Sequence, residues 1–243
     1  MTPRRKRTTL NPAASITIIS IAAPAHPMSA RRQFLIQTAA TPLLAVLGHA
    51  LAAGKHPLPN GIRSLRGTVW VNDAPAHVNQ VVLPGDTVRT GARSEVVYVM
   101  DNNAYLMRDD TAVRFASESA VGVLRIITGK VLAVFGPGAK RIDTATATVG
   151  IRGTACYIES GEGQMYFCLC YGSADIRPLA DPAQSQAFST RYHDKPMTIG
   201  TDMAQPLLQA APVRNHSDAE LTLLEATVGR VPPFQGVQGH IGY

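Results

Sequence analysis

The sequence predicts a mainly β fold: short antiparallel strands in a sandwich or solenoid-like domain, with one C-terminal helix. Three observations lead there. Strand-forming Val, Ile, Thr, Tyr and Phe recur between Leu65 and Ile176, and Gly, Pro, Asn and Asp punctuate them every 8–12 residues or so. No polar–apolar run of helical period interrupts this stretch, so the crossover helices of a βαβ fold have no place in it. Near the C-terminus one segment does carry the helical period, with its own start and stop signals.

The strands follow in order. "GTVWVN" (Gly67–Asn72) alternates and ends at a turn, and "HVNQVVL" (His77–Leu83) ends at Pro84-Gly85. "SEVVYVM" (Ser94–Met100) stops at "DNNA"; "AYLMR", "AVRF", "VGVLRIITG" and "KVLAVFGPG" continue the rhythm to Gly138. The β domain is thus expected over 65–176. From 177 to 214 the chain is polar and proline-punctuated and reads as a long loop. A capped helix with a proline stop is expected over 215–234. Ser217 and Glu220 have capping-box spacing, each side chain serving a backbone N–H left free at the helix start. Leu221, Leu224 and Val228 form an apolar stripe, and Gly229 and Pro232-Pro233 end the helix. The glycine-rich residues 235–243 form a tail expected to be mobile.

The formal charge of +6 invites a nucleic-acid reading. Yet six of the 23 basic residues precede Ala53 and none of the 17 acidic ones does, so the remaining chain balances at 17 against 17. A nucleic-acid partner is therefore not expected, because a folded domain that binds phosphates keeps a basic excess. The basicity belongs to residues 1–52, an N-terminal extension and export signal. "MSARRQFLIQTAATPLLAVLGHALAAG" (Met28–Gly54) has the Arg31-Arg32 pair, a mostly apolar run from Phe34 to Leu47, and the small-residue pattern Ala50-Leu51-Ala52. That is the layout of a cleavable secretory leader. Its core is shorter than the ~20 apolar residues of a membrane-spanning helix, so none is expected in the mature chain. "ARRQFL" resembles the twin-arginine export signal; an ordinary secretory leader or an uncleaved anchor is the alternative. Met28 would serve as a start, and cleavage after Ala52 would deliver the protein to the periplasm.

"TVGIRGT" (Thr148–Thr154) introduces a resemblance. With the Gly67–Val69 strand, "PGDTVRTG" (Pro84–Gly91), "SEVVYVM" and "GKVLAVF" (Gly129–Phe135), it makes residues from about Leu65 to Ser160 similar to the FecR domain, the family named for the regulator of ferric citrate uptake. The resemblance implies a β-rich periplasmic domain of a signalling system. In the regulators for which the family is named, an anti-sigma segment and a membrane helix precede the domain. Here a leader-like segment stands in that place, so a free-standing exported binding module is expected, acting on an envelope protein or a small ligand. The family motif residues are Gly150, Ile151, Arg152, Gly153 and Thr154. Read by themselves, Gly150 and Gly153 allow a sharp turn or a close backbone approach. Arg152 then either contacts an anionic ligand or partner, or staples two turns together.

All three cysteines lie within "GIRGTACYIESGEGQMYFCLCYG" (Gly150–Gly172). Cys168 and Cys170 share one face of a strand by alternation. Pairing about Ser160–Gly163 sets Cys156 near Phe167 or Cys168, and in the second register the three thiols cluster. A shift of one residue sends Cys156 to the other face. Three readings compete: buried reduced thiols acting as small hydrophobes, a disulfide between two of them, or metal or cofactor chemistry. Cys-x-Cys is not the spacing of a zinc knuckle or a redox loop. His193 and His216 complete a ligand set with Cys168 and Cys170 if the loop folds back; otherwise they are a solvated loop residue and part of the helix cap. No cofactor is expected on balance. An exported metal- or thiol-dependent redox protein built on Cys156, Cys168 and Cys170 remains the alternative function. Catalytic motifs are missing: no G-x-S-x-G, H-E-x-x-H, P-loop or G-x-G-x-x-G occurs, and strand alternation points the Asp109-Asp110 pair apart. Phe167, Leu169 and Tyr171 are expected opposite Cys168 and Cys170, beneath the helical stripe or a second sheet.

Overall fold

The computed structural model describes residues 57–118 and 121–234. The leader with Arg31, Arg32, Ala50 and Ala52, and the tail from 235 to 243, lie outside them. Among the described residues, fourteen strands join in one large, mostly antiparallel open sheet, and one α-helix packs on it. The mainly β expectation holds, in the form of a single sheet with two covered faces.

The first strands are β1 (Gly61–Arg66), β2 (Val69–Val71), β3 (Ala74–Pro75), β4 (Thr87–Thr90), β5 (Glu95–Met100), β6 (Asn103–Met107) and β7 (Ala112–Glu118). Then come three long or linking strands: β8 (Val121–Val134), β9 (Ala139–Asp143) and β10 (Ala147–Ser160). β11 (Gln164–Pro178), β12 (Gln186–Thr190), β13 (Met197–Gly200) and β14 (Leu208–Ala210) complete the sheet before helix α1 (Asp218–Thr227). The segment from 177 to 214, expected as a long loop, therefore holds three strands and a 3-10 turn at Pro182–Gln184. Its polar residues belong to short strands that pair along β11 or at the sheet margin, where little apolar sequence is needed.

Two other expectations change. "HVNQVVL" forms no strand: Asn79 takes a left-handed backbone, and Val78, Val81 and Leu83 are about half exposed. "VGVLRIITG" and "KVLAVF" are one continuous strand, β8, because Gly129 adopts φ 96° within it instead of ending it. Length lets β8 serve two sets of neighbours. Its first half pairs with β7 and, in parallel, with β9; its second half pairs with β6 and β10.

The sheet has an apolar core on each face, and the chain alternates between them with period two. Val96, Tyr98, Tyr105, Met107, Val131, Ala133, Ile158 and Phe167 pack on one face. Val97, Val99, Leu106, Leu132, Val134, Tyr157 and Tyr166 pack on the other, with Leu221, Leu224 and Val228 of the α1 region laid over them. The α1 cap is formed as its spacing predicts. Ser217 accepts from the Glu220 amide at 3.3 Å, and Glu220 accepts from the Ser217 amide at 2.9 Å.

Candidate functional site

The β10–β11 hairpin turns at Gly161–Gln164 and sets Ser160 opposite Met165. That register places Tyr157, not Cys156, opposite Cys168, and pairs Cys156 with Leu169. The three-thiol cluster is thereby corrected. Cys156 points into the core of Ile158, Phe167 and Leu169, while Cys168 and Cys170 point to the face under α1. The helical stripe covers the cysteine face and not the Phe167–Leu169 face, again the reverse of the sequence reading. Tyr171 also joins the helix side, because the ladder shifts between Ala155 and Cys156. No disulfide joins the cysteines. Residues two apart on a strand stand ~6.6 Å apart along its axis, too far for the Cβ spacing that a disulfide requires.

β11 builds the site through an interruption. On the edge away from β10, its first residues pair with β13 and its last with β12, leaving Cys168–Tyr171 between the two. The β12–β13 connection fills this gap: the His193 amide donates to the Cys170 carbonyl at 3.1 Å. His193 has φ 42°, a left-handed value that costs a residue with a Cβ some strain. The loop around it is held by Thr190, whose hydroxyl donates to Asp194 and accepts from the Tyr192 and Asp194 amides. The second imidazole comes from the segment before α1. Asn215, at φ 57°, turns the chain so that His216 enters beneath the helix. Arg108 holds that turn, donating to the Asn215 carbonyl at 2.7 Å and to Glu220 at 2.8 Å.

Cys168, Cys170, His193 and His216 are all buried, and one ligand atom from each lies within 4.8 Å of the others. His193 Nδ1 is 3.3 Å from Cys168 Sγ and 3.2 Å from His216 Nε2. Each ring is oriented through its far nitrogen. His216 Nδ1 donates to the Arg214 carbonyl at 2.7 Å. His193 Nε2 faces Asp218 Oδ1 at 3.4 Å, and Tyr192 donates to the other Asp218 oxygen at 2.7 Å. Tyr157 stacks on His216 with centroids 4.7 Å apart, and Tyr192 and Phe234 pack against His193. The S–H of Cys170 holds the Cys168 thiol down to about 4 by hydrogen bonding, burial opposes this, and His193 and His216 add to the lowering. Cys170 is pushed well up, chiefly by burial. Burial also pushes the Cys156 thiol up, so it stays protonated and unreactive.

Asp218, Tyr192 and the Arg214 carbonyl escape sequence reasoning. The one available signal was an acidic residue two positions after His216, and the capping box absorbed it. The family-motif residues sit elsewhere. Gly150–Thr154 runs inside β10 and is a bend, not a turn. β10 pairs with β9 as far as Arg152, and with β8 from Ala155 onward. Gly153 takes φ 55° there, and opposite it Gly172 takes φ 101°, where a Cβ would lie 2.7 Å from Thr154 Oγ1 and 2.8 Å from the Gly153 carbonyl. Buried Thr154 locks the bend, donating to Arg152 O at 2.7 Å. Among the described residues Arg152 staples nothing: it is exposed, beside a concavity of about 580 Å³ lined by Lys140, Asp175, Phe188 and Ser189.

Residues 86–174 match the family model described as FecR protein. Over that stretch the chain is similar to a FecR domain. The match contains the Gly150–Thr154 bend, Cys156, Cys168 and Cys170, and it stops before His193 and His216. Two crystal structures of a candidate anti-sigma factor from Parabacteroides distasonis are similar to 51% of this chain at 9% identity, with a TM-score of 0.43. The similar region spans 59% of that protein, so the likeness covers a little over half of its length. No curated protein matches the chain.

Proposed function

We propose that this chain is an exported envelope protein whose FecR domain binds a second envelope protein and passes that contact on as a regulatory signal, without catalysis. The FecR match over residues 86–174 carries the reading. It supports a signalling role. Export rests on Arg31-Arg32 ahead of a short apolar core ending at Ala50-Leu51-Ala52. No described helix is long and apolar enough to cross a membrane.

Arg152 is the contact residue in this reading. Its side chain is exposed and makes neither hydrogen bond nor ion pair among the described residues, and it leaves a bend held by Thr154. A guanidinium on a rigid bend suits recognition of a partner carboxylate, since little entropy is lost when its planar donors are engaged.

Expression of the full chain with a photo-crosslinking residue in place of Ser189 tests the proposal. The protein should fractionate with the periplasm, and irradiation should give one discrete adduct that Arg152→Glu removes. Retention in the cytoplasm overturns export, and an adduct unchanged by Arg152→Glu overturns the contact. The thiol-redox alternative loses its third member, because Cys156 lies across the sheet from Cys168 and Cys170.

A further inference from the structure

Two imidazole nitrogens 3.2 Å apart need something between them. Nδ1–H of His216 is committed to the Arg214 carbonyl, so its Nε2 presents a lone pair. The proton of His193 belongs on Nε2, toward Asp218 at 3.4 Å, because neither of those buried atoms has another partner among the described residues. Nδ1 of His193 then presents a second lone pair, aimed at the first and at Cys168 Sγ. Two buried lone pairs in contact repel unless a cation, a proton or a metal ion, stands between them.

The donor set decides which cation. Two sulfurs and two imidazole nitrogens form the S2N2 set of a tetrahedral zinc site. With Zn–N near ~2.0 Å and Zn–S near ~2.3 Å, tetrahedral edges are about 3.3 Å for N···N and about 3.5 Å for N···S. The observed 3.2 Å and 3.3 Å are close to these values. Charge balances too: a divalent ion and two thiolates sum to zero, which a buried site requires. Each ring is oriented from behind, one by a carbonyl and one by a carboxylate, as metal-bound histidines are.

We propose that Cys168, Cys170, His193 and His216 bind one zinc ion in a closed, four-ligand site that fastens the C-terminal segment to the FecR domain. Two ligands lie inside the matched domain and two beyond it, on the β12–β13 loop and before α1. Four protein ligands leave no open position for a substrate, so the ion is structural. Both sulfurs bind as thiolates, so Cys170 gives up its proton on binding. Asp218 is a positioning residue, holding the His193 ring.

Metal analysis of the purified full chain, followed by Co²⁺ titration of the chelator-stripped protein, tests this. One zinc per chain is expected, and one equivalent of Co²⁺ should give the intense visible bands of a tetrahedral thiolate complex. Cys156→Ser should keep both signals, since that thiol faces the other core. Asp218→Asn should weaken Zn²⁺ affinity about 10–100-fold with the Co²⁺ band shape unchanged. Cys170→Ser should lose one sulfur-to-cobalt charge-transfer contribution; if that variant does not fold, the wild-type spectrum and Asp218→Asn still decide. Absence of tetrahedral Co²⁺ bands in wild type overturns the proposal and leaves a proton-bridged His–Cys cluster. Equal loss of metal in Cys156→Ser overturns the ligand assignment. None of these outcomes depends on partner binding through Arg152.

Discussion

The two faces of the β10–β11 hairpin place the same residue type in opposite chemistries. On one face Cys156 lies among Ile158, Phe167 and Leu169, and burial, with a smaller push from Cys168, raises its thiol. On the other, Cys168 and Cys170 meet two imidazoles, a carboxylate and a helix start. Burial is complete on both, with Cys156, Cys168 and Cys170 at 0% exposure. Thiol chemistry here is therefore set by polar company and not by depth. The first face is covered by sheet packing, which needs only apolar side chains. The second is covered by chain that also brings His193 and His216, and it takes its company from sequence 23 to 48 residues away.

The largest expected effect lies on the apolar face. Leu169→Ala should cost about 2–5 kcal/mol, since a buried leucine leaves a cavity in a packed core. Denaturant unfolding checks it, and a loss under about 1 kcal/mol would show that this face is loosely packed. Leu224→Ala on the helix side is expected in the same range of about 2–5 kcal/mol, and a much smaller value would mean that α1 is a weak lid. Next comes the bend that joins the two faces. Gly172→Ala must force a methyl group against Thr154 and the Gly153 carbonyl at a positive φ, which should cost about 1–3 kcal/mol. Wild-type thermal stability in that variant would show that the bend relaxes freely.

Cys156→Ser sharpens the comparison directly. A hydroxyl with no partner in that core should destabilise by about 1–3 kcal/mol. Thiol labelling of the folded protein should meanwhile find Cys156 unreactive, and modification of Cys156 before unfolding would place it outside the core. The smallest effect is at the helix cap. Ser217→Ala should cost about 1 kcal/mol, read from the unfolding midpoint, because it leaves the Glu220 amide unserved at the start of α1.

Legibility followed the range of the interaction. The helix could be read from Ser217 to Gly229 alone, because capping box, stripe and glycine stop all act within a few turns. The strands from Ser94 to Phe115 could be read too, since alternation and turn residues are local. β12, β13 and β14 could not, because a short strand pairing along a longer one carries little apolar pattern of its own. Gly150–Thr154 was visible as a special stretch, but its role as a bend inside β10 depends on β8 and β9, which lie on separate segments. His193 and His216 were visible only as residue types of the right chemistry.

By itself the sequence determined the β class, the capped helix, the shared face of Cys168 and Cys170, and the resemblance borne by "TVGIRGT". Periodicity and capping are properties of neighbouring residues, and so they survive without a fold. The tertiary structure decided the hairpin register that turned Cys156 away from the other thiols. It also decided the gap in β11 that admits His193, and the meeting of that imidazole with His216. Each of these is settled by long-range strand pairing, where one residue of register reverses a side chain. No local propensity sets that register; the competition of whole faces for burial does.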